Sequence, residues 1–263
     1  MHFHIGCELT YSVPKASLFL FNVTVARCAA HRLEGEQFLL APDITSQELV
    51  VPATGTRFTR IEVPAGHLSL RYEARGELLP KESGPATART GEDDEIPPEA
   101  VPYLFSSRYC PADLLTDLAC EVAGNAPAGA AKVTAICNWV FSNLSYLPGT
   151  SDSATTALDT EHDRCGVCRD FAHLAITLCR ALGIPARFVT GYAWGLVLPD
   201  FHACIEAFFD GRWHLFDPSR KVATDRMIRI GTGRDAADTA FATIFGDGHP
   251  SELTAMTVFA EPA

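Results

Sequence analysis

Over its first 80 residues the chain places apolar and polar side chains in short runs. Leu18–Val25, Gln37–Leu40, Arg57–Val63 and Leu68–Ala74 are rich in Val, Ile, Phe and Thr and bounded by turn residues, which predicts β-strands. Partial alternation around Ser17–Ala26 and Arg57–Val63 fits a sheet with one wet face, and no helical period shows there. The character changes over 81–99. Lys81-Glu82-Ser83-Gly84-Pro85 and Gly91-Glu92-Asp93-Asp94-Glu95, closing on Pro97-Pro98, read as a linker or long surface loop.

Helical spacing then begins. Pro111-Ala112-Asp113 opens a run with Leu114, Leu115, Leu118, Ala119 and Val122 at amphipathic positions. A second helix is expected from about Ala128 to Leu144, with Val133, Ile136, Val140 and Leu144 on one stripe. A third spans Val167 to Leu182 and is ended by Gly183 and Pro185. Cys168, Phe171, Ala172, Ala175, Leu178, Cys179 and Leu182 fall on one of its faces. Strands return at Ala186–Tyr192, His202–Phe209, Trp213–Phe216 and Leu253–Phe259. The order β, then α, then β predicts an α+β architecture: a β-rich unit at 1–80, a linker at 81–99 and a core at 100–263.

Charge and composition narrow the function. In 263 residues, 21 Lys and Arg against 32 Asp and Glu leave a net charge of −11. That balance argues against a nucleic-acid partner, which needs clustered cations, and against adhesion to anionic membranes. Ala16 to Ala30, the most apolar early stretch, is interrupted by Ser17, Asn22, Thr24 and Arg27 and falls short of the ~20 residues of a membrane span. Met1 to Tyr11 lacks the basic-then-apolar order of a secretory signal. The expected location is cytoplasmic. The nine cysteines are irregularly spaced, which reads as reduced thiols rather than a disulfide framework.

The densest chemistry lies at His162-Asp163-Arg164-Cys165-Gly166-Val167-Cys168-Arg169-Asp170-Phe171-Ala172-His173, where an irregular segment turns into the third helix. Cys168 sits in the first turn, facing the interior. The free N–H groups and dipole there favour negative charge and can hold an oxyanion, as a nucleophilic cysteine requires; a buried structural cysteine is the plainer alternative. Downstream, Asp210-Gly211 between two apolar runs signals a two-residue hairpin. That turn pairs Phe209 with Arg212, Ile205 with Phe216 and Cys204 with Asp217, and makes His202 a same-face diagonal neighbour of Asp217 at about 7–8 Å. A loop one residue longer or shorter would separate them. The resulting division of labour has Cys168 attacking a carbonyl, His202 moving the proton and Asp217 orienting the imidazole.

Gly166-Val167-Cys168-Arg169-Asp170-Phe171-Ala172-His173-Leu174 and Arg180-Ala181-Leu182-Gly183-Ile184-Pro185-Ala186-Arg187-Phe188-Val189-Thr190-Gly191-Tyr192 resemble the core of the bacterial transglutaminase-like cysteine protease family. His202-Ala203-Cys204-Ile205-Glu206 and Trp213-His214-Leu215-Phe216-Asp217-Pro218-Ser219 are similar to its histidine and aspartate blocks, and Arg229–Asp238 to a segment that follows them. The likeness is dense from about Val101 onward and looser over the first 80 residues. It implies a papain-like, transglutaminase-like core with the nucleophile on Cys168, the base on His202 and the orienting acid on Asp217. One position departs from the pattern: Cys204 stands where the family usually has tryptophan, two residues after the histidine.

Three rivals remain beside this reading. Cys165-Gly166-Val167-Cys168 is a C-x-x-C motif of the kind used in redox exchange, though Asp159–Arg164 has no strand character to lead into it. His162, Cys165, Cys168 and His173 could ligate zinc, but they straddle a loop and a helix with no second paired motif. A peptide-binding scaffold of the same fold would need no base beside a thiol. Around the site, Asp170 is expected to favour the helix dipole and anchor Arg169 or Arg187, His173 to be solvated or packed, and Glu206 to be an outer partner of His202 or exposed. Tyr192 and Trp194 are expected in the core. The sequence therefore points to a cysteine acyl-transfer enzyme acting on peptide or side-chain amides, hydrolytic rather than cross-linking, with a peptide or protein substrate and neither metal nor cofactor.

Overall fold

A computed structural model of the chain describes residues 1–79, 96–246 and 250–263. Most of the expected linker, 81–95, lies outside the described residues.

Strict alternation builds the first sheet. Along β1 (His2–Val13), Phe3, Ile5, Cys7, Leu9, Tyr11 and Val13 are buried, and along β6 (Gly66–Leu78) so are Leu68, Leu70, Tyr72 and Ala74. This two-residue period gives each strand one apolar face. Between them lie β2 (Ser17–Phe21), β3 (His31–Ala41), β4 (Ser46–Val50) and β5 (Arg57–Val63). After the helical region come β13 (Ala242–Phe245) and β14 (Glu252–Pro262). Two four-stranded antiparallel sheets result, in the orders β14-β1-β6-β3 and β13-β2-β5-β4. Their inner faces share one apolar cluster in which Phe3, Leu9, Phe19, Phe21 and Leu70 are fully buried. Segments far apart along the chain thus build the sandwich: β13 and β14, which the sequence reading placed with the core, pair with β2 and β1.

The second half holds α1 (Thr116–Ala123), α2 (Ala130–Asn143), β7 (Ser145–Tyr146), α3 (Ala157–Asp163), β8 (Cys165–Gly166) and α4 (Cys168–Ala181). It continues through β9 (Ala186–Ala193), β10 (His202–Phe209), β11 (Arg212–Phe216) and β12 (Met227–Gly233). The last four form an antiparallel sheet in the order β11-β10-β9-β12, and α4 packs on it against Ala203, Ile205 and Ala207. This is the α+β, transglutaminase-like architecture that the resemblance implied.

Some expectations need correction. Leu114 is 62% exposed, because the residues before α1 form a separate 3₁₀ turn, whereas Leu115 and Ala119 are buried in the core and Leu118 and Val122 pack half-buried against it. Helix α3 replaces the expected irregular segment. Thr156 caps it, its hydroxyl accepting from the Asp159 N–H while the Asp159 carboxylate accepts from the Thr156 N–H. Strands β12 and β13 also escaped the sequence reading. Finally, α4 is enclosed on every side rather than one: each residue from Asp170 to Arg180 is buried. Its polar side chains are bonded inside the protein except at His173 Nδ1, which has no partner. Thr177 Oγ1 donates to His173 O, and the Arg180 guanidinium donates to the backbone oxygens of Phe105, Ala186 and Arg234 and to Ser107 Oγ.

Candidate active site

The start of α4 is fixed by its third residue. Asp170, fully buried, accepts the Val167 N–H at 2.8 Å and pairs with Arg169 at 3.0 Å. Gly166 makes room for it, since a Cβ there would meet Asp170 Cβ at 2.7 Å. The expected anchoring of Arg169, not Arg187, is what the structure shows. Cys168 therefore opens the helix in a locked turn, half-buried on the wall of a cleft it shares with His202.

The Asp210-Gly211 turn has φ values of +52° and +70°, the left-handed pair a two-residue hairpin requires. The register follows: Phe209 faces Arg212 and Ile205 faces Phe216, as the spacing predicted. Asp217, just past β11, then reaches back to β10, and its Oδ2 lies 3.0 Å from His202 Nε2. Both side chains are buried. Asp217 is itself held by three further donors: Ser219 N–H, Ser219 Oγ and Val222 N–H. His202 and Cys168 line the same cleft, and the sulfur is among the groups that act on the imidazole. Burial pulls the His202 pKa down, but the bonds to Asp217, Cys168 and Cys204 outweigh it and hold it well above the usual histidine value. Burial pushes Asp217 up, and His202, Ser219 and Val222 overcome that to hold it below the usual carboxylate range.

A contact that sequence reasoning missed joins this group. Parallel pairing of Ser145 with Cys165 and Tyr146 with Gly166 brings Tyr146 alongside Cys168. Its hydroxyl feels the charge of Cys168. Burial and that neighbour push the phenol up to about 12, so it remains a donor at neutral pH. No local signal marks Tyr146, because two-residue strands separated by a helix have no periodicity to read.

Cys204 lies on the His202 face, as the register required. Its thiol, His202 and Asp217 offer atoms all within 4.8 Å of one another, the one such cluster of potential metal donors among the described residues. Burial raises the Cys204 pKa to about 11, so it stands beside the pair as a neutral thiol. The proposed zinc quartet does not assemble among the described residues. His173 is fully buried, stacked on Tyr109 with centroids 5.0 Å apart, and its Nε2 accepts the Ala236 N–H. No strand leads into the C-x-x-C motif: helix α3 ends at Asp163, and the two-residue β8 is the first half of the motif itself.

Glu206 is neither exposed nor a partner of His202. It is buried between Arg187 and Arg229, 2.6 Å from Arg187 Nη2, and Arg187 also stacks over Trp213. Tyr192 and Trp194 sit in the sandwich cluster as expected, with Tyr192 Oη donating to Val23 O at 2.8 Å.

Comparison with known proteins agrees with this architecture. Residues 116–218 match the core of the transglutaminase-like superfamily, and residues 1–80 match the N-terminal domain of bacterial transglutaminases. A crystal structure from Cytophaga hutchinsonii, described as a "putative cysteine protease", superposes with a TM-score of 0.90 at 38% identity, covering 100% of this chain and 90% of that one. An uncharacterized protein of Mycobacterium leprae is 39% identical over 117 residues, 41% of this chain and 42% of its own length. One from Mycobacterium tuberculosis is 31% identical over 120 residues, 38% of this chain and 36% of its own. The matched region spans less than half of those two mycobacterial proteins.

Proposed function

The chain belongs to the transglutaminase-like superfamily as a cysteine-based enzyme, and from that premise we propose that it hydrolyses peptide or side-chain amides through Cys168, His202 and Asp217. The observation that carries this reading is the 3.0 Å contact between His202 and Asp217, made at the mouth of the cleft that Cys168 lines. A buried, carboxylate-oriented imidazole beside a thiol suits proton transfer to and from the sulfur and its acyl partner.

Each step balances. The Cys168 sulfur forms a bond to the carbonyl carbon while its proton passes to His202. The resulting oxyanion is met by the Cys168 and Arg169 N–H groups, since those of Asp170 and Phe171 already donate to Val167 O. Collapse breaks the C–N bond, and His202 returns the proton to the departing amine. Water then attacks the thioester, giving a proton to His202; collapse breaks the C–S bond, His202 returns that proton to the Cys168 sulfur, and the acid departs. Asp217 holds the ring in the tautomer this needs. A cytoplasmic setting belongs to the same reading and rests on the irregularly spaced cysteines.

The test is acylation by p-nitrophenyl acetate. The expected result is a burst of one nitrophenolate per chain, an acetyl group mapped to Cys168, and its loss on standing. Cys168→Ala abolishes the burst. An acetyl group found elsewhere, or none, overturns the assignment.

A further inference from the structure

We propose a site for a divalent cation of the zinc class on His202, Cys204 and Asp217, where the ion takes the imidazole out of service. The inhibition, though not the binding, rests on Cys168 as the nucleophile. His202 and Cys204 share a face of β10, two residues apart, and Asp217 follows β11 across the hairpin. One donor atom from each lies within 4.8 Å of the other two, and Asp217 Oδ2 is 3.0 Å from His202 Nε2. Around a tetrahedral ion with bonds of about 2.0–2.3 Å, donors stand about 3.3–3.8 Å apart. Side-chain shifts of about 1 Å or less therefore close this set on an ion.

The donor types select the ion. A thiolate, an imidazole nitrogen and a carboxylate suit Zn²⁺, whereas Ca²⁺ and Mg²⁺ call for shells of oxygen. Charge agrees: Zn²⁺ with one thiolate, one carboxylate and a neutral imidazole sums to zero, as a buried site requires. Cys204 and His202 are 1% and 2% exposed, so the ion rests among the donors rather than in the cleft. Its route is the cleft itself, because His202 lines it. Asp217 is braced for such a role. Ser219 N–H and Oγ hold Oδ1 and Val222 N–H holds Oδ2, which leaves the side of Oδ2 toward His202 for the ion. The zinc–sulfur bond forms as Cys204 releases its S–H proton to water. The zinc–nitrogen bond forms as His202 releases the Nε2 proton, and Asp217 keeps its charge. Three protein donors leave a fourth position to water. An imidazole bound to a cation is a poor base, so Cys168 loses its proton acceptor. No step of the acyl transfer uses the Cys204 sulfur.

The experiment uses the full chain, reduced and stripped of metal, with zinc chloride as the probe. Affinity is read by competition with a chromophoric zinc chelator, and sulfur ligation by the thiolate-to-metal absorption of Co²⁺ in the same site. The expected result is one Zn²⁺ per chain and a thiolate–cobalt band, both retained in Cys168→Ala. Cys204→Ala removes the band and weakens zinc at least about 100-fold, since even the outer partners of a metal site are worth about 10–100-fold. If that variant melts early, Asp217→Asn decides the matter with a drop of at least about tenfold. Absence of zinc binding, a band lost in Cys168→Ala, or an affinity that the folded variants leave unchanged overturns the site. Zinc should also slow iodoacetamide at Cys168 of the native chain, and not at the same concentration in Cys204→Ala. A fast Cys168 that saturating zinc does not slow overturns the inhibition. Zinc held through Cys204 beside a Cys168 that labels slowly throughout would support the site and overturn the nucleophile instead.

Discussion

Asp217 Oδ2 and His202 Nε2 stand 3.0 Å apart, 15 residues away from each other along the chain, at the two ends of a hairpin whose turn is Asp210-Gly211. The contact joins the geometry of a tight turn to the protonation of a buried imidazole. Its energetics follow from the two opposite pKa shifts. Asp217, lowered in the fold, contributes stability above its unfolded value of about 3.9 that is lost as pH falls through its folded value. His202, raised in the fold, contributes stability that is full below about 6.5 and is lost as pH rises through its folded value. The pair is therefore fully effective between these two values and weakens on either side.

Asp217→Asn is expected to slow acetylation of Cys168 by p-nitrophenyl acetate about 10³–10⁴-fold, because the amide cannot support the imidazolium or enforce the tautomer. Burst kinetics at pH 7 measure it. The variant also flattens the acid limb of the stability profile, since the lowered carboxyl is gone.

The turn is a second lever. Gly211 adopts φ +70°, so Gly211→Val should destabilise the chain by about 1–2 kcal/mol in urea titration while the Phe209–Arg212 register persists. Inserting one residue after Asp210 is a different change. It carries Asp217 to the opposite face of the strand and should abolish acetylation of Cys168.

Much of this was open to sequence reading, and the division is physical. The His202–Asp217 meeting was legible because a two-residue turn fixes strand register, and register fixes faces. Cys168 was legible because a helix start follows from local capping and spacing. Tyr146 was not, since it reaches the site through a two-residue parallel pairing that only tertiary packing creates. Glu206 was misplaced for a related reason: its partners, Arg187 and Arg229, come from the neighbouring strand β9 and the one beyond it, β12. Asn22 read as an interruption of an apolar run, whereas in the fold its buried amide donates to Arg57 O. The contribution of β13 and β14 to the sandwich was likewise invisible, because pairing between chain ends leaves no local period.

Glu206 should matter for stability rather than for chemistry. Burial pushes its carboxyl up, and Arg229 and Arg187 overcome this to hold it below the usual glutamate value. Glu206→Ala leaves two cations facing each other in a buried site, with an expected loss of about 3–5 kcal/mol by urea denaturation. A loss under 1 kcal/mol would show that solvent reaches the arginines.

His173 gives the protein a titration of its own. Full burial, with Arg169 and Arg180 adding to it, lowers its pKa to about 3. The folded chain keeps the ring neutral while the unfolded chain protonates it below about 6.5. Stability is therefore complete above 6.5 and falls by about 1.4 kcal/mol per pH unit toward 3. His173→Phe, which keeps the stacking between Tyr109 and Phe188, should remove that component of the slope in melts run from pH 7 to 4. An unchanged slope would mean the ring is protonated in the fold.

The account stands most directly on the rate at which iodoacetamide modifies each cysteine near neutral pH, resolved by peptide mapping in the native chain and in His202→Ala. The prediction is that Cys168 reacts about 100-fold faster than the exposed Cys120, and that the advantage disappears in the variant. A Cys168 that labels no faster than Cys120, or one whose rate is indifferent to loss of the imidazole, would contradict it.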